Sequence, residues 1–267
     1  MSLSHPIDNL LSDDAVSDAV LDELLRKGRK SLAVRLRHVR RPDAAVGITG
    51  SPFGPLLVAV GPAGILMISY LRTQDAADGI AALRLKFDPV EDRRAAEEVG
   101  AQIRRFLSGD HEALTSPTDL SLVAGKFQRS LLDRLLQVPF GAVVTYRALG
   151  DAIGAPDSQR AVGNAMGANP IPIYVPCHRV VRSDGVIGHY AGGTEVKLKL
   201  LRVEGFAIDR SSRLPEQVVW GHGRTGIFCR PDCSAARRAD PARLLIFADS
   251  QSARHAGMRA CKLCRPS

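Results

Sequence analysis

Cys177 sits between a proline and a histidine in Ile173-Tyr174-Val175-Pro176-Cys177-His178-Arg179-Val180-Val181, a run of strand-forming residues broken by a ring, a thiol and an imidazole. A thiol acts as a nucleophile only as thiolate, and an adjacent imidazole can supply the base or the positive charge that generates one. Neighbouring side chains of an extended segment leave opposite faces, so His178 is expected to reach the sulfur through a bridging water or a bend at Pro176. The competing reading is packing, because a lone cysteine in an apolar strand is most often core. Against it stand the histidine and the proline, which marks a strand end or edge.

The other four cysteines fall into two close pairs, Cys229-x3-Cys233 and Cys261-x2-Cys264, separated by twenty-seven residues. Each pair can place two sulfurs on one tetrahedral zinc, and four thiolates close a structural site. Redox pairs or chance clustering are the alternatives. His222 and His255 lie nearby, but four cysteines already complete the set.

Charge points to an acidic partner. The chain carries a net charge of +8, and from Ser211 onward ten basic residues face four acidic ones, placing +6 of that charge in the tail. Nucleic acid is the commonest partner of such a surface. No stretch approaches the roughly 20 apolar residues of a membrane helix, and the polar start around Asp8, Asp13 and Asp14 does not read as a signal peptide. A cytoplasmic protein with no membrane partner is expected, and reduced thiols there favour a metal over disulfides.

The elements that must position these groups are legible in part. Asp13 to Lys27 has the pattern of an amphipathic helix, and Leu32 to Arg37 alternates like a short strand. Ala45 to Thr49, Leu56 to Val60 and Ile65 to Tyr70, separated by Gly- and Pro-rich turns, predict an antiparallel meander. Helical periodicity runs from Val90 to Leu107, and Ser108 to Asp119 has loop composition. Phe127 to Leu136 predicts a helix whose apolar face carries Phe127, Leu131, Leu132, Leu135 and Leu136. Tyr146 to Ile153 and Ser158 to Met166, with Asp157 expected as an N-cap, suggest a helix-turn-helix. On its second helix Ala161, Val162, Ala165 and Met166 are expected to pack, leaving Gln159, Arg160, Gly163 and Asn164 outward. Small residues beside one arginine suit a nucleic-acid groove or close helix packing equally.

On these residues a resemblance becomes specific. Val138-Pro139-Phe140-Gly141, Thr145-Tyr146, the run Gln159 to Met166, Asn169-Pro170-Ile171-Pro172, Pro176-Cys177-His178-Arg179-Val180-Val181, Gly188 to Gly193, and Glu204 in Leu200-Leu201-Arg202-Val203-Glu204-Gly205 resemble, in order and spacing, the motifs of the O6-alkylguanine-DNA alkyltransferases. The resemblance runs from about Ala44 to Phe206. It implies an α/β (α+β) chain: an N-terminal extension over 1–43, a ribonuclease-H-like domain over 44–119 and a winged-helix-like helix-turn-helix catalytic domain over 120–206. A linker over 207–218 and a zinc module over 219–267 would complete it.

The resemblance further implies that Cys177 takes the alkyl group from guanine O6, and from thymine O4, irreversibly and once per molecule. His178 would act on the thiol through a water, oriented by Glu204. Tyr146 resembles the residue that helps rotate the target nucleotide, and Arg160 the arginine that replaces it in the stack, because chemistry on a base in duplex DNA requires the base to leave the stack. Gln159, Ala161, Gly163 and Asn164 would accompany Arg160 on the DNA, while Asn169 would tie the helix-turn-helix to the active-site segment. Tyr190, Ala191 and Gly192 resemble the lip of the guanine pocket. The partner implied is alkylated double-stranded DNA, bound by a monomer.

Arg224 to Pro231 resembles the zinc module of the bacterial adaptive-response alkylation regulators, which implies one zinc on Cys229, Cys233, Cys261 and Cys264 and a first cysteine, Cys229, that accepts methyl groups from phosphotriesters. An alkylation sensor is therefore the alternative function. That family places the module ahead of an AraC-type DNA-binding region; here it comes last, and no such region is found.

Overall fold

The computed structural model describes Glu23 and residues 41–71, 75–209 and 211–266. The helix expected over Asp13 to Lys27, apart from the helical Glu23, and the strand expected over Leu32 to Arg37 lie outside the described residues. The chain divides into two compact units, Met1–Phe106 with Glu112–Leu122, and Leu107–His111 with Val123–Ser267. Among the described residues no helix is long and apolar enough to cross a membrane.

In the first unit β1 (Asp43–Ser51), β2 (Gly54–Gly61) and β3 (Gly64–Tyr70) pair antiparallel, as their alternation and turns predict. Gly54 and Gly64 take positive φ, +99° and +137°, at the two reversals, where a side chain would be strained. The sheet is not a pure meander, because β4 (Asp88–Glu91) joins β1 in parallel, giving the order β3-β2-β1-β4. A helix missed in sequence, α1 (Asp75–Leu83), contributes Ile80 and Leu83 to a core with Val46, Leu57 and Leu66. The helix expected from Val90 starts later, as α2 (Arg93–Leu107), because Val90 is spent on β4 and Asp92 Oδ1 accepts from the N–H groups of Arg94 and Ala95.

The second unit opens with α3 (Lys126–Leu135), which buries Leu131, Leu132 and Leu135. Phe127 and Leu136, read as part of its apolar face, are instead exposed. After β5 (Ala142–Thr145), the Thr145 hydroxyl caps α4 (Tyr146–Ala152) by accepting from Ala148 N–H at 3.0 Å. The cap of α5 (Gln159–Gly167) is Ser158, not Asp157. Asp157 takes φ +57° and pairs with Arg147, while Ser158 Oγ donates to Ala155 O. Val162, Ala165 and Met166 pack as expected, but Ala161 is exposed on the outward face. Beyond α5 come β6 (Val180–Val181) and α6 (Thr194–Val203).

The C-terminal stretch adds β7 (Val219–His222), β8 (Ile227–Cys229), α7 (Ser234–Arg237), β9 (Leu244–Phe247), α8 (Ser250–His255) and β10 (Arg259–Ala260). Its strands continue the sheet of the preceding region in the order β10-β8-β7-β9-β5-β6, with β9 antiparallel to β5. Within the stretch 207–218, expected as a linker, Ile208, Leu214 and Val218 join Val143, Leu201 and Phe206 in one cluster.

Candidate active site and metal centre

The strand expected through Cys177 is a turn of 3₁₀ helix, Cys177–Arg179, that feeds β6. The β-branched run reads as extended, but tertiary ties override it. Asn169 Oδ1 accepts from Ile171 N–H, and its Nδ2 donates to Val175 O at 2.8 Å. The chain between them tightens so far that Ile173, a β-branched residue, is held at φ +77°. Strain at such a residue costs of order 1–3 kcal/mol and persists only where surrounding contacts impose it.

That bend delivers Cys177, a residue only 4 % exposed, to the lining of a cavity. Asn169 Nδ2 also donates to Cys177 Sγ at 3.1 Å. Burial pushes the Cys177 thiol up, while the Asn169 hydrogen bond and the Lys197 ammonium pull it back toward ionisation.

His178 and Glu204 are both fully buried, and the imidazole Nε2 lies 2.6 Å from Glu204 Oε1. Burial works to raise the Glu204 carboxyl, but Arg179 and His178 bring it below its ordinary value, so it is ionised and accepts from Nε2–H. His178 Nδ1, which makes no hydrogen bond with the protein, is then left as the basic nitrogen. Burial lowers the His178 pKa, with Glu204 opposing it.

Two residues with no role expected from sequence complete the array. Arg179 Nε donates to both Glu204 oxygens at 2.9 Å, and its guanidinium also donates to Val138 O at 2.7 Å. Lys197 is entirely buried, donates to Val180 O at 2.6 Å and His189 O at 3.3 Å, and is pulled down to about 8 by burial, with Cys177 acting against that. It stands three and four residues before Leu200 and Leu201, a cation on the apolar stripe of α6, which was the signal available.

The cavity, about 880 Å³, brings together Cys177, Tyr146, Tyr190 and Ala191 with Gln159, Arg160, Gly163 and Asn164 of α5. Gly192 and Ala161 are not among its lining residues. Tyr190 stands edge-on to His178, ring centroids 6.5 Å apart. Burial, with the neighbouring Cys177, raises the Tyr146 hydroxyl and keeps it a hydrogen-bond donor. Gly188, at φ +71°, passes so close to Tyr146 that a Cβ would stand 3.2 Å from its hydroxyl.

The sulfurs of Cys229, Cys233, Cys261 and Cys264 lie within 4.8 Å of one another. A tetrahedron at the Zn–S length of roughly 2.3 Å spaces its sulfurs by about 3.8 Å, so the set fits zinc. The N–H groups of Cys264 and Leu263 hold the Cys261 thiol down at about 7, whereas burial and the neighbouring thiols push Cys229 up. A dication removes that conflict, and the donor chemistry is that of a zinc site closed by four thiolates.

Known proteins match this arrangement in two blocks. Residues 126–206 match the 6-O-methylguanine DNA methyltransferase, DNA binding domain, and residues 206–267 the metal binding domain of Ada. The methylated-DNA–protein-cysteine methyltransferase of Methanosarcina barkeri is 35 % identical over 159 residues, covering 59 % of this chain and 94 % of the relative. The bifunctional transcriptional activator/DNA repair enzyme Ada of Escherichia coli is 35 % identical over 183 residues, 67 % of this chain and 48 % of that protein. The crystal structure of Mycobacterium tuberculosis OGT in complex with DNA superposes with a TM-score of 0.52 at 31 % identity, covering 60 % of this chain and 92 % of the other.

Proposed function

Because the chain belongs to the methylated-DNA–protein-cysteine methyltransferase family, we propose that it repairs duplex DNA by direct reversal, moving the alkyl group of O6-alkylguanine, and of O4-alkylthymine, onto Cys177. The observation that carries this assignment is Cys177 lining a cavity shared with α5, with Asn169 Nδ2 on its sulfur and the adjacent His178 paired to the buried Glu204.

Glu204 fixes His178 as the tautomer with a free Nδ1, which takes the thiol proton through a water. The thiolate attacks the alkyl carbon; the S–C bond forms as the C–O6 bond breaks, and the guanine anion leaves and takes up one proton. The thioether is not cleaved again, so each chain reacts once. Arg179 holds Glu204 ionised, and Lys197 favours the thiolate. The flipped base enters between Tyr146 and the Tyr190 to Gly192 lip, and Arg160, exposed at the start of α5, fills the gap it leaves. Gln159, Ala161, Gly163 and Asn164 form the small, close-approaching face of a winged-helix-like domain over 120–206. The three antiparallel strands and two helices of residues 44–119 support the ribonuclease-H-like reading of that part.

Cys229, Cys233, Cys261 and Cys264 would hold one zinc, which would supply a cross-link among four thiolates, with 219–267 as its module. The match to the metal binding domain of Ada also supports a second reading, a sensor in which Cys229 accepts methyl from phosphotriesters. Cys229 is only 1 % exposed, which favours metal holding over attack on a phosphotriester. Peptide mass after exposure to DNA carrying methyl phosphotriesters decides it: methyl on Cys229 establishes the sensor chemistry, and an unmodified Cys229 removes it. For the principal reading, Cys177→Ala is expected to abolish alkyl removal; an undiminished rate would overturn it.

A further inference from the structure

The structure that closes over Glu204 comes partly from the far end of the chain. Glu204 Oε2 accepts from Gly141 N–H at 3.3 Å. Gly141 is held in turn by the C-terminal region: its carbonyl accepts from Ala248 N–H at 3.2 Å, and a Cβ on it would stand 3.1 Å from Ser252 Cβ. Ala248 also lies 3.7 Å from where a Cβ of Gly205 would be, directly after Glu204. The pairing of β9 with β5, Ala142 opposite Phe247 and Val143 opposite Ile246, sets these contacts in register.

The same strands lead to the metal centre. Trp220, the one tryptophan of the chain, is in register with Cys229 on one side and Ile246 on the other. It packs against both the cysteine cluster and the core that contains Val143 and Ala248. Cys229 and Cys261, held on one metal, would tie β8 to β10, and the pairing of β7 with β8 and β9 through Trp220 would carry that constraint to β9.

We propose that residues Phe247 to Ser252 are a positioning segment for Glu204, so that the zinc-loaded C-terminal module completes the alkyl-transfer site. This rests on the alkyl-transfer reading of Cys177. Displacing a catalytic group by about 1 Å can cost on the order of a hundredfold in rate even when the disturbance starts far from the chemistry. Glu204 is exposed to such a displacement because Gly141, one of its three hydrogen-bonding partners, has the module against it. Among the described residues, the charged and titratable groups around Cys177 and His178 include Tyr146, Arg179, Arg182, Tyr190, Lys197 and Glu204, none of them in the module. A pH response that changes when Ser252 is altered must therefore pass through the position of Gly141 and Glu204.

Two measurements test this on the full chain, using benzylguanine labelling of Cys177, zinc content and Trp220 emission. Ser252→Val, which presses methyl groups on Gly141, is expected to keep one zinc and the emission of the unaltered protein. It should label about tenfold more slowly, within the range that misplacement produces. Its labelling should also follow a different pH profile from that of the unaltered protein, because a loosened Glu204 changes the basicity of His178. Stripping zinc from the unaltered chain with a chelator should slow labelling and shift the pH response the same way, and reloading should restore both. Labelling of zinc-loaded Ser252→Val within twofold and with the same pH response, or of the stripped chain at the loaded rate, overturns the coupling alone. Failure of the unaltered, loaded chain to label at Cys177 overturns the alkyl-transfer reading beneath it.

Discussion

At Cys177 burial opposes ionisation, and the Asn169 amide, the Lys197 ammonium and a backbone N–H favour it. Asn169→Ala removes the donor from the sulfur, so the thiol should ionise at higher pH. The alkyl-transfer rate, followed against pH with benzylguanine, should rise later than in the unaltered protein; an unmoved profile would remove Asn169 from the thiolate's support. Glu204 is the other decisive residue. Its carboxyl is held below its ordinary value chiefly by Arg179, so the stability it contributes is present above the unfolded carboxyl pKa and is lost as the pH falls through the folded value. Glu204→Gln leaves the Arg179 guanidinium without its buried counter-charge and should cost about 3–5 kcal/mol at pH 7. Denaturant unfolding checks this, and a loss under about 1 kcal/mol would class the pair with exposed ion pairs. Cys177, His178 and Glu204 were legible because their types and order are specific. Arg179 was hidden because an arginine in sequence does not show which carboxylate it clamps.

At the scale of elements, α5 divides the work. Val162, Ala165 and Met166 face the core, and Arg160 stands exposed at its start beside the cavity. Arg160→Ala should slow repair of O6-methylguanine in duplex DNA about tenfold, equal to about 1.4 kcal/mol of unstacking cost no longer offset, while leaving labelling by free benzylguanine unchanged. Equal loss on both substrates would place Arg160 in the pocket instead of the stack. Strands β1 to β3 were readable because glycine and proline punctuate an alternating pattern, whereas β4 is four residues whose pairing partner lies more than forty positions back. The segment through Cys177 has a strand's composition, yet side-chain bonds from Asn169, which no pattern of residue types displays, bend the backbone there.

Across the whole molecule, the four cysteines announced a metal, but nothing in Leu244–Phe247 announced that it would pair with β5. The metal module and the alkyl-transfer region share one sheet and one core. Zinc binding by thiolates contributes folding energy directly, so chelation should lower the melting temperature of the second unit, and zinc analysis should return one ion per chain. An unchanged melting curve after complete zinc removal would make the cysteine cluster incidental to the fold. The basic tail should make DNA affinity fall steeply with salt.

The central claim is that Cys177 is a single-use alkyl acceptor. Peptide mass spectrometry after incubation with a molar excess of duplex DNA containing O6-methylguanine tests it most directly. The expected result is one methyl group on the peptide bearing Cys177, one guanine restored per chain, and no further repair after that. Guanine restored with Cys177 unmodified, or restored many times per chain, would contradict it.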